Sequence, residues 1–534
     1  MLSHKISLDV VKAASESGIS HATWLLSQMY KLGIGVQPSE EKANYHLLTA
    51  STQGSLRARS EVARNQLRGN ANDLPHDLAL RLLADLADEG FARTEIGETL
   101  IMSGKSEFVE RGYQALKLES LQCFNWKARY LVLLCDVFNK NIPVAKTELL
   151  NTLLYLNRCE GNIPAQHAII LSSFLGLNPW TFTYEDLVVS LLEINTPEAS
   201  IDAWQMLSVP TFEFLKEELR HRAFAQLAAH AETDHPHAQV TYLAALLNHA
   251  QPKDEGACAT RLLKLMKRNP ELHSLNYDYA LHYAKASTPG LAELIMETMS
   301  KIAASPLAPY ANRTLAIELN MAGRWQETEK YFVRAMELAI ENSISCLASF
   351  AFKRYDKTNQ NFAEARFWAE AFVLEDAEEG QRTLHGLLEL RKKRNSLSHD
   401  ESLVQRECLE FLCKNDNADA KRYLGLMLLN GQGPVLREPV RGLELLKEAA
   451  QTDGRAMYEL AHVYQAGVHV PRDMSLAQHF FDEAAKHGHS NAQYEVIDAE
   501  QKAQEENQNE ETTPSENAAT VTSIFTISSV NETQ

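Results

Sequence analysis

The chain has 534 residues, of which 45% are apolar, and a formal net charge of -18 at pH 7. Because this length exceeds what one ordinary hydrophobic core organises, several domains or an array of repeats is expected. The acidic balance opposes nucleic acid as a partner, since proteins bind phosphate backbones through clustered Lys and Arg.

The seven cysteines are odd in number and include no C-x-x-C pair, which favours reduced, buried thiols. The first residues lack a continuous apolar segment, and no run of eighteen or more apolar residues follows, so no integral membrane segment is predicted. A cytoplasmic protein is therefore expected. A signal peptide that had been removed would leave the same sequence, and a periplasmic or secreted location stays open.

The N-terminal region, residues 1 to 140, repeats with a period of 36 residues. Ala22 and Ala58 begin two copies, and from each of them glycine lies at +11, alanine at +21 and glycine at +32. In the first copy the apolar residues between Ala22 and Tyr30 form one helical stripe, which must be buried. The glycine at +11 then ends that helix, and the run Pro38 to Glu41, "PSEE", provides a cap for a second one.

Each unit is thus predicted to be a hairpin of two helices that buries its apolar surface only when the next unit stacks on it. The alternative is a glycine-rich loop that binds phosphate. That loop requires G-x-x-x-x-G-K-[ST] after a strand, and no copy has the Lys-Ser/Thr ending or a strand pattern.

The segment from 141 to 305 is amphipathic but shows no clear period. Diverged helical hairpins are expected there, because no alternation of apolar residues indicates a sheet. An inserted domain that regulates an enzyme, with a concealed site, is the alternative. Residues 306 to 400 contain a pattern of tetratricopeptide type around Gly323 and Ala335, whose alanine recurs 34 residues later at Ala369.

Residues 401 to 498 return to the 36-residue period, with copies that begin at Ala420 and Ala456. In the Ala420 copy the second half falls one position late, as a single inserted loop residue would cause. From 499 to 534 the sequence becomes polar and acidic, and a disordered tail is predicted. The residues assigned to the repeat framework are Ala22, Gly33, Gly35, Ala43, Gly54, Ala58, Gly69, Ala79, Gly90, Gly323, Ala335, Ala420, Gly431, Gly433, Ala449, Ala456, Gly467, Ala477, Ala484 and Gly488.

These units resemble the Sel-one-like repeat (SLR), a relative of the tetratricopeptide repeat. The resemblance is carried by "ATWLLSQMYKLGIGVQPSEEKA", "AKRYLGLMLLNGQGPVLREPVRGLELLKEAA" and "AMYELAHVYQAGVHVPRDMSLAQHFFDEAAKHG", and it covers roughly residues 13 to 120 and 410 to 498. It implies an all-α, right-handed superhelical solenoid whose concave side, formed by the first helix of each unit, binds other proteins. The cysteine pairs of one branch of the family are missing here, so the ligands of that branch are not carried over.

No pattern for catalysis, cofactor binding or metal binding is found. The histidines near the C-terminus, His462, His469, His479, His487 and His489, fall in different parts of the repeat, so no metal site is predicted. Among the tryptophans, Trp24 lies off the main apolar stripe and is the candidate for partner binding on the concave side.

We therefore expect a scaffold or adaptor that is not an enzyme and that holds a segment of another protein on its concave face. A scaffold for cell-envelope polysaccharide assembly or export, a role that some bacterial relatives fill, is a further alternative.

Overall fold

The computed structural model describes residues 7–69, 75–121, 125–138, 184–208, 217–250, 254–340, 342–431 and 437–511. Within these ranges the chain forms 26 α-helices and no strand, so the predicted all-α fold of tandem helix hairpins is confirmed. The chain divides into two compact units, Met1–Asp376 and Ala377–Gln534.

The helices of the first unit that the structure describes are, in chain order, α1 Leu8–Glu16, α2 Ser20–Leu32, α3 Glu40–Thr52, α4 Leu56–Leu67, α5 His76–Asp88, α6 Arg93–Met102, α7 Ser106–Ser120, α8 Trp126–Phe138, α9 Tyr184–Ile194, α10 Pro197–Leu207, α11 Glu217–Ala231, α12 Pro236–Ala245, α13 Glu255–Arg268, α14 Leu275–Ser287, α15 Leu291–Ile302, α16 Ala311–Met321, α17 Trp325–Glu337, α18 Ser343–Thr358 and α19 Phe362–Glu375. Those of the second unit are α20 Ala377–Lys393, α21 His399–Lys414, α22 Ala418–Asn430, α23 Pro439–Ala449, α24 Gly454–Ala466, α25 Met474–Lys486 and α26 Ser490–Glu511.

Local chemistry fixes the ends of the hairpin helices. Helix α2 ends at Gly33, whose φ of 71° is the left-handed conformation that glycine adopts without a steric penalty. Helix α3 then begins after Ser39, whose hydroxyl accepts a hydrogen bond from the backbone N–H of Lys42 at 3.3 Å. The equivalent residues of the Ala456 copy are Gly467, with a φ of 64°, and Asp473, which caps α25.

The other residues of the repeat framework occupy matching places. All of its glycines except Gly433, which lies outside the described ranges, have a positive φ: Gly33, Gly35, Gly54, Gly69, Gly90, Gly323, Gly431, Gly467 and Gly488. All of its alanines are buried: Ala22, Ala43, Ala58, Ala79, Ala335, Ala420, Ala449, Ala456, Ala477 and Ala484. The glycines thus lie at bends and the alanines at packed helix faces.

Two hairpins use pairs of helical glycines to bring their helices close together. A Cβ added at Gly112 in α7 would lie 2.8 Å from the carbonyl oxygen of Gly97 in α6. A Cβ added at Gly442 in α23 would likewise lie 2.8 Å from the carbonyl oxygen of Gly425 in α22. No real Cβ approaches backbone oxygen so closely, so only glycine permits these crossings. The sequence analysis did not identify this role.

Within the first unit, the hairpins of tetratricopeptide type pack against the N-terminal hairpins. One carboxylate oxygen of Glu337 in α17 accepts a hydrogen bond from the Ser20 hydroxyl at 2.5 Å, and the other accepts one from the backbone N–H of Leu56 at 3.0 Å. Glu370 in α19 accepts a hydrogen bond from the backbone N–H of Ser7 at 2.8 Å. These buried carboxylates satisfy N–H groups that have no partner inside their own helices. The packing therefore extends beyond adjacent hairpins, which a simple repeat array does not predict.

The C-terminal helix extends past the predicted start of the tail. Helix α26 runs to Glu511, whereas disorder was predicted from residue 499. The segment "EQKAQEENQNEE" is rich in Glu, Gln, Lys and Ala, which have high helix propensity, so a low apolar content did not prevent helix formation there. The rest of the predicted tail, 512–534, and much of the predicted diverged segment, 139–183, lie outside the described residues.

Candidate partner-binding cleft

A cleft of about 580 Å³ opens in the first unit beside α4. One wall is formed by α4 together with Trp24 of α2, and the opposite wall by Pro309, Tyr310 and the segment from Leu338 to Ile340. The floor is formed by the start of α6. The cleft lies on the first helices of the N-terminal hairpins, which is the surface that the resemblance assigned to partner binding.

The face of α4 that lines the cleft is strongly charged. Arg57, Glu61, Arg64 and Arg68 lie at positions 0, +4, +7 and +11 of one helix and all line the cleft. This spacing places them on one side, because residues three and four apart share a helix face. Another side of α4 packs Leu56 and Ala63 into the hydrophobic core. We call the four charged residues the α4 stripe.

The single carboxylate of the stripe is held by three donors from α2. Glu61 accepts hydrogen bonds from the Trp24 indole Nε1 at 3.0 Å, from Gln28 Nε2 at 2.8 Å and from Lys31 Nζ at 2.8 Å. Burial favours the neutral acid, but these hydrogen bonds outweigh it and lower the pKa of Glu61 below its usual value. The negative charge of Glu61 is therefore compensated by Lys31 rather than by the arginines of the stripe.

Arg57 lines the cleft beside Trp24. Its guanidinium carbon is 5.7 Å from the centre of the Trp24 ring, within the range of a cation–π contact. Burial lowers the pKa of Arg57, and the nearby charges of Glu375 and Glu337 partly oppose that effect. Within the part of the chain that the structure describes, the buried Nε of Arg57 has no hydrogen-bond partner.

Arg64 and Arg68 continue the stripe toward the C-terminal end of α4. Arg64 is half-buried, and its Nε is buried with no partner among the described residues; Arg68 is exposed. Over the same residues, neither guanidinium has a carboxylate within ion-pair distance. Two cations thus line the cleft without an ion pair to the described residues, and the exposed carboxylate of Glu95 near the start of α6 is also part of the lining.

The floor and the far wall are occupied by contacts within the protein. Arg93 donates from Nε to the carbonyl of Ala87 at 3.0 Å and from Nη2 to the carbonyl of Pro306 at 2.7 Å. The Tyr310 hydroxyl donates to Glu119 at 3.2 Å, and burial raises the pKa of that carboxyl. These groups hold the far wall against α6, so the α4 stripe is the part of the cleft with cations available to a partner.

Trp24, the residue predicted for partner binding, lines the cleft, but much of its ring is engaged. Its indole N–H is bound to Glu61, and its ring stacks on His21 with centroids 5.4 Å apart. His21 in turn stacks on Trp368 of α19 at 5.9 Å. Trp24 therefore anchors the wall of the cleft, and its contact with a partner stays a prediction.

The imidazole of His21 makes the first unit sensitive to acid. Burial, with a smaller contribution from the charge of Arg57, lowers the pKa of His21 from 6.5 to about 3. As the pH falls below about 6.5, the unfolded chain binds a proton at His21 that the folded chain does not bind. The free energy of unfolding is therefore highest above pH 6.5 and decreases as the pH falls toward 3.

Between pH 7.5 and pH 5, we expect the free energy of unfolding of the wild type to decrease by about 2 kcal/mol more than that of the His21→Phe variant. Urea unfolding of both proteins at the two pH values measures this difference, and equal losses would contradict it.

The C-terminal histidines do not form a metal site within the described residues, where no group of three or more His, Cys, Asp or Glu could hold an ion. His462 and His489 both pack on the Tyr458 ring, at centroid distances of 4.5 and 4.4 Å. These contacts are aromatic packing between α24 and the turn before α26.

None of the described helices is both long enough and apolar enough to cross a membrane.

The α4 stripe was not among the residues predicted for partner binding, of which Trp24 was the only candidate. The signal was present in "LRARSEVARNQLR", where Arg57, Arg64 and Arg68 share a face of a first helix. What could not be seen is that α2 provides the partners of Glu61, since those contacts depend on how the two hairpins pack.

Comparison with known families supports the repeat assignment. A family model described as the Sel1 repeat matches residues 20–55, 418–451 and 454–489. The crystal structure of a protective antigen present in uropathogenic Escherichia coli strains, which displays an SLR fold, is similar over 93% of this chain and 91% of its own, with 14% identity and a TM-score of 0.42. A Sel1 repeat protein from Oxalobacter formigenes is similar over 83% of this chain and 93% of its own, with 14% identity and a TM-score of 0.21.

A search of curated proteins found no match to the sequence. The three stretches that match the family model correspond to the copies that begin at Ala22, Ala420 and Ala456. Sel1 repeats are typically found in protein-interaction scaffolds. Stretches similar to the Sel1 repeat are thus found in both of the compact units of this chain.

Proposed function

We propose that this protein is a non-enzymatic interaction scaffold, and that its N-terminal Sel1 hairpins bind a segment of a partner protein in the cleft beside α4. The observation that carries the proposal is the α4 stripe, where Arg64 and Arg68 line a cleft of about 580 Å³ without ion pairs among the described residues. Arginine is enriched at the centres of protein interfaces, because its planar guanidinium donates several hydrogen bonds while its stem packs on apolar groups.

The form of the cleft favours a peptide segment over a small molecule. Its cationic wall follows one helix face for about 16 Å between Arg57 and Arg68, given a rise of 1.5 Å per residue. A repeat array offers such an extended surface, on which a segment in extended or helical form makes many small contacts. An enzyme would instead need polar groups that converge on one reacting atom.

Site-specific photo-crosslinking tests the proposal. A photoreactive phenylalanine derivative is placed at Asn65, which lines the cleft, and in a second protein at Tyr45, which is 65% exposed on the second helix α3. After irradiation in cells of the source organism, we expect the Asn65 protein to form a discrete crosslinked product with another protein, and the Tyr45 protein not to form it.

The same crosslinked product from both positions would show contact with the surface in general rather than with the cleft. The absence of any product from Asn65, in protein that keeps its wild-type circular dichroism spectrum, would count against the cleft as the binding site.

A further inference from the structure

We propose that the segment bound in this cleft is acidic, and that its Asp and Glu side chains form ion pairs with Arg64 and Arg68. This inference rests on the proposed function, and it specifies the chemistry of the partner that the cleft accepts.

The first argument is charge balance within the cleft. Because Lys31 compensates Glu61, the α4 stripe presents more positive than negative charge to a partner. Two further carboxylates line the cleft: Glu119, whose pKa is raised by burial and which accepts a hydrogen bond from Tyr310, and the exposed Glu95. The four arginines of the lining, Arg57, Arg64, Arg68 and Arg93, still outnumber its three carboxylates, Glu61, Glu95 and Glu119. A cationic wall in a chain with a net charge of -18 selects for segments of the opposite charge, because complementary potentials direct association and like charges oppose it.

The second argument is the contrast with arginines elsewhere on helix faces. Arg406 and Arg441 in the second unit both pair with the same two carboxylates, Glu410 and Glu438, at 2.8 to 3.5 Å. In the first unit, Arg111 of α7 pairs with Asp85 and Asp88 of α5. The partners of these arginines come from their own helix, from its N-cap residue or from a nearby helix. The described neighbours of Arg64 and Arg68 supply none, so their hydrogen-bonding capacity remains for a ligand.

The third argument is spacing, which favours carboxylates along a peptide over one phosphate group. Along α4, Arg64 lies about 6 Å from Arg68 and about 10 Å from Arg57, at 1.5 Å per residue. An extended peptide advances about 3.3 Å per residue, so these intervals correspond to acidic residues about two and three positions apart. A single phosphate is normally held by cations that converge on one point, which side chains spread along a helix face do not do.

An array of immobilised 12-residue peptides tests the proposal with the full-length protein. The peptides carry from zero to six Asp or Glu residues at constant apolar content, and a parallel set carries phosphoserine in place of each acidic residue. We expect bound protein to increase with the number of acidic residues and to decrease when NaCl is raised from 50 to 500 mM.

Matched variants assign the effect to the cleft. The double variant Arg64→Gln/Arg68→Gln removes the two cations of the stripe, and we expect it to weaken binding of the best acidic peptide about tenfold or more by fluorescence anisotropy. Arg59→Gln is the control, because Arg59 is exposed on another side of α4 and its Nε donates to the Ser51 carbonyl. We expect this control to retain binding within about twofold. Circular dichroism verifies that each variant is folded.

Four outcomes would overturn the proposal: no peptide binds; binding does not depend on acidic content; the phosphoserine set binds while the Asp and Glu set does not; or Arg59→Gln weakens binding as much as the double variant does. If one of these outcomes is found together with a specific crosslink from Asn65, the proposal of an acidic partner is rejected, but the cleft is retained as a binding site. The reverse result is also distinguishable. If acidic peptides bind through Arg64 and Arg68 but Asn65 captures no cellular protein, the acidic preference of the cleft is supported and the proposed function is not.

Discussion

Replacing Gly442 with alanine is expected to destabilise the second unit by about 2 kcal/mol, although the same change in an ordinary helix is stabilising. In α23 the new Cβ would lie 2.8 Å from the Gly425 carbonyl oxygen and 3.0 Å from both the backbone N and the side-chain Cγ of Leu429. Because two of these three atoms belong to the backbone of α22, relief requires that the two helices move apart and lose packing along the hairpin. The steric cost therefore exceeds the gain of about 0.5 to 1 kcal/mol in helix propensity.

Urea unfolding monitored by circular dichroism measures the effect of Gly442→Ala. The control is Glu444→Ala, an exposed position on the same helix, which should change stability by no more than about 0.5 kcal/mol. A variant at Gly442 that is as stable as the wild type would show that the close crossing of α22 and α23 is not required.

Glu337→Gln is expected to destabilise the first unit by about 2 kcal/mol. The two carboxylate oxygens of Glu337 accept hydrogen bonds from the Ser20 hydroxyl and the Leu56 backbone N–H. A glutamine amide retains one acceptor and directs an NH₂ group at one of these two donors. The Ser20 hydroxyl can turn to accept a hydrogen bond from that NH₂ group while the Leu56 N–H keeps the carbonyl oxygen. Both hydrogen bonds then lose their charge assistance, and the charge interaction of Glu337 with the N-terminus of α4 is lost as well.

Hydrogen exchange locates the effect of Glu337→Gln, and chemical denaturation gives its size. We expect faster exchange in the peptides that contain Ser20 and Leu56, because these contacts join the N-terminal hairpins to α17. Glu327→Gln on the same helix is the control, since Glu327 pairs with Arg324 at about half exposure and should contribute less than about 1 kcal/mol. Equal effects of the two substitutions would contradict a special role for Glu337.

The hairpin architecture could be predicted from sequence because local rules determine it. A stripe of apolar residues, a glycine past its end and a capping side chain lie within about fifteen residues of each other. Ser39, in the run that was predicted to cap a second helix, does cap α3, and Asn417 and Asp473 cap α22 and α25 in the same way. The burial of the repeat alanines follows from the same periodicity, since positions +21 and +28 lie on one face of the second helix.

The remaining features depend on contacts between residues far apart in sequence. Gly97, Gly112 and Gly425 lie inside helices, where propensity alone makes glycine unfavourable, and only the crossing of two helices explains them. Glu337 and Glu370 look like ordinary acidic residues of amphipathic helices until their partners at Leu56 and Ser7 are seen. The α4 stripe was likewise visible as spacing, but its unbalanced charge follows from how α2 packs on α4.

The anchoring of α4 by Glu337 also has a consequence for synthesis on the ribosome. The Leu56 amide emerges 281 residues before the carboxylate that satisfies it. At typical elongation rates of roughly 5 to 20 residues per second, this separation corresponds to tens of seconds. During that interval the nascent N-terminal hairpins expose the apolar surface that Ala335, Leu338 and Ile340 later cover. Chaperones that recognise such surface would therefore meet this chain chiefly before residue 340 has left the exit tunnel.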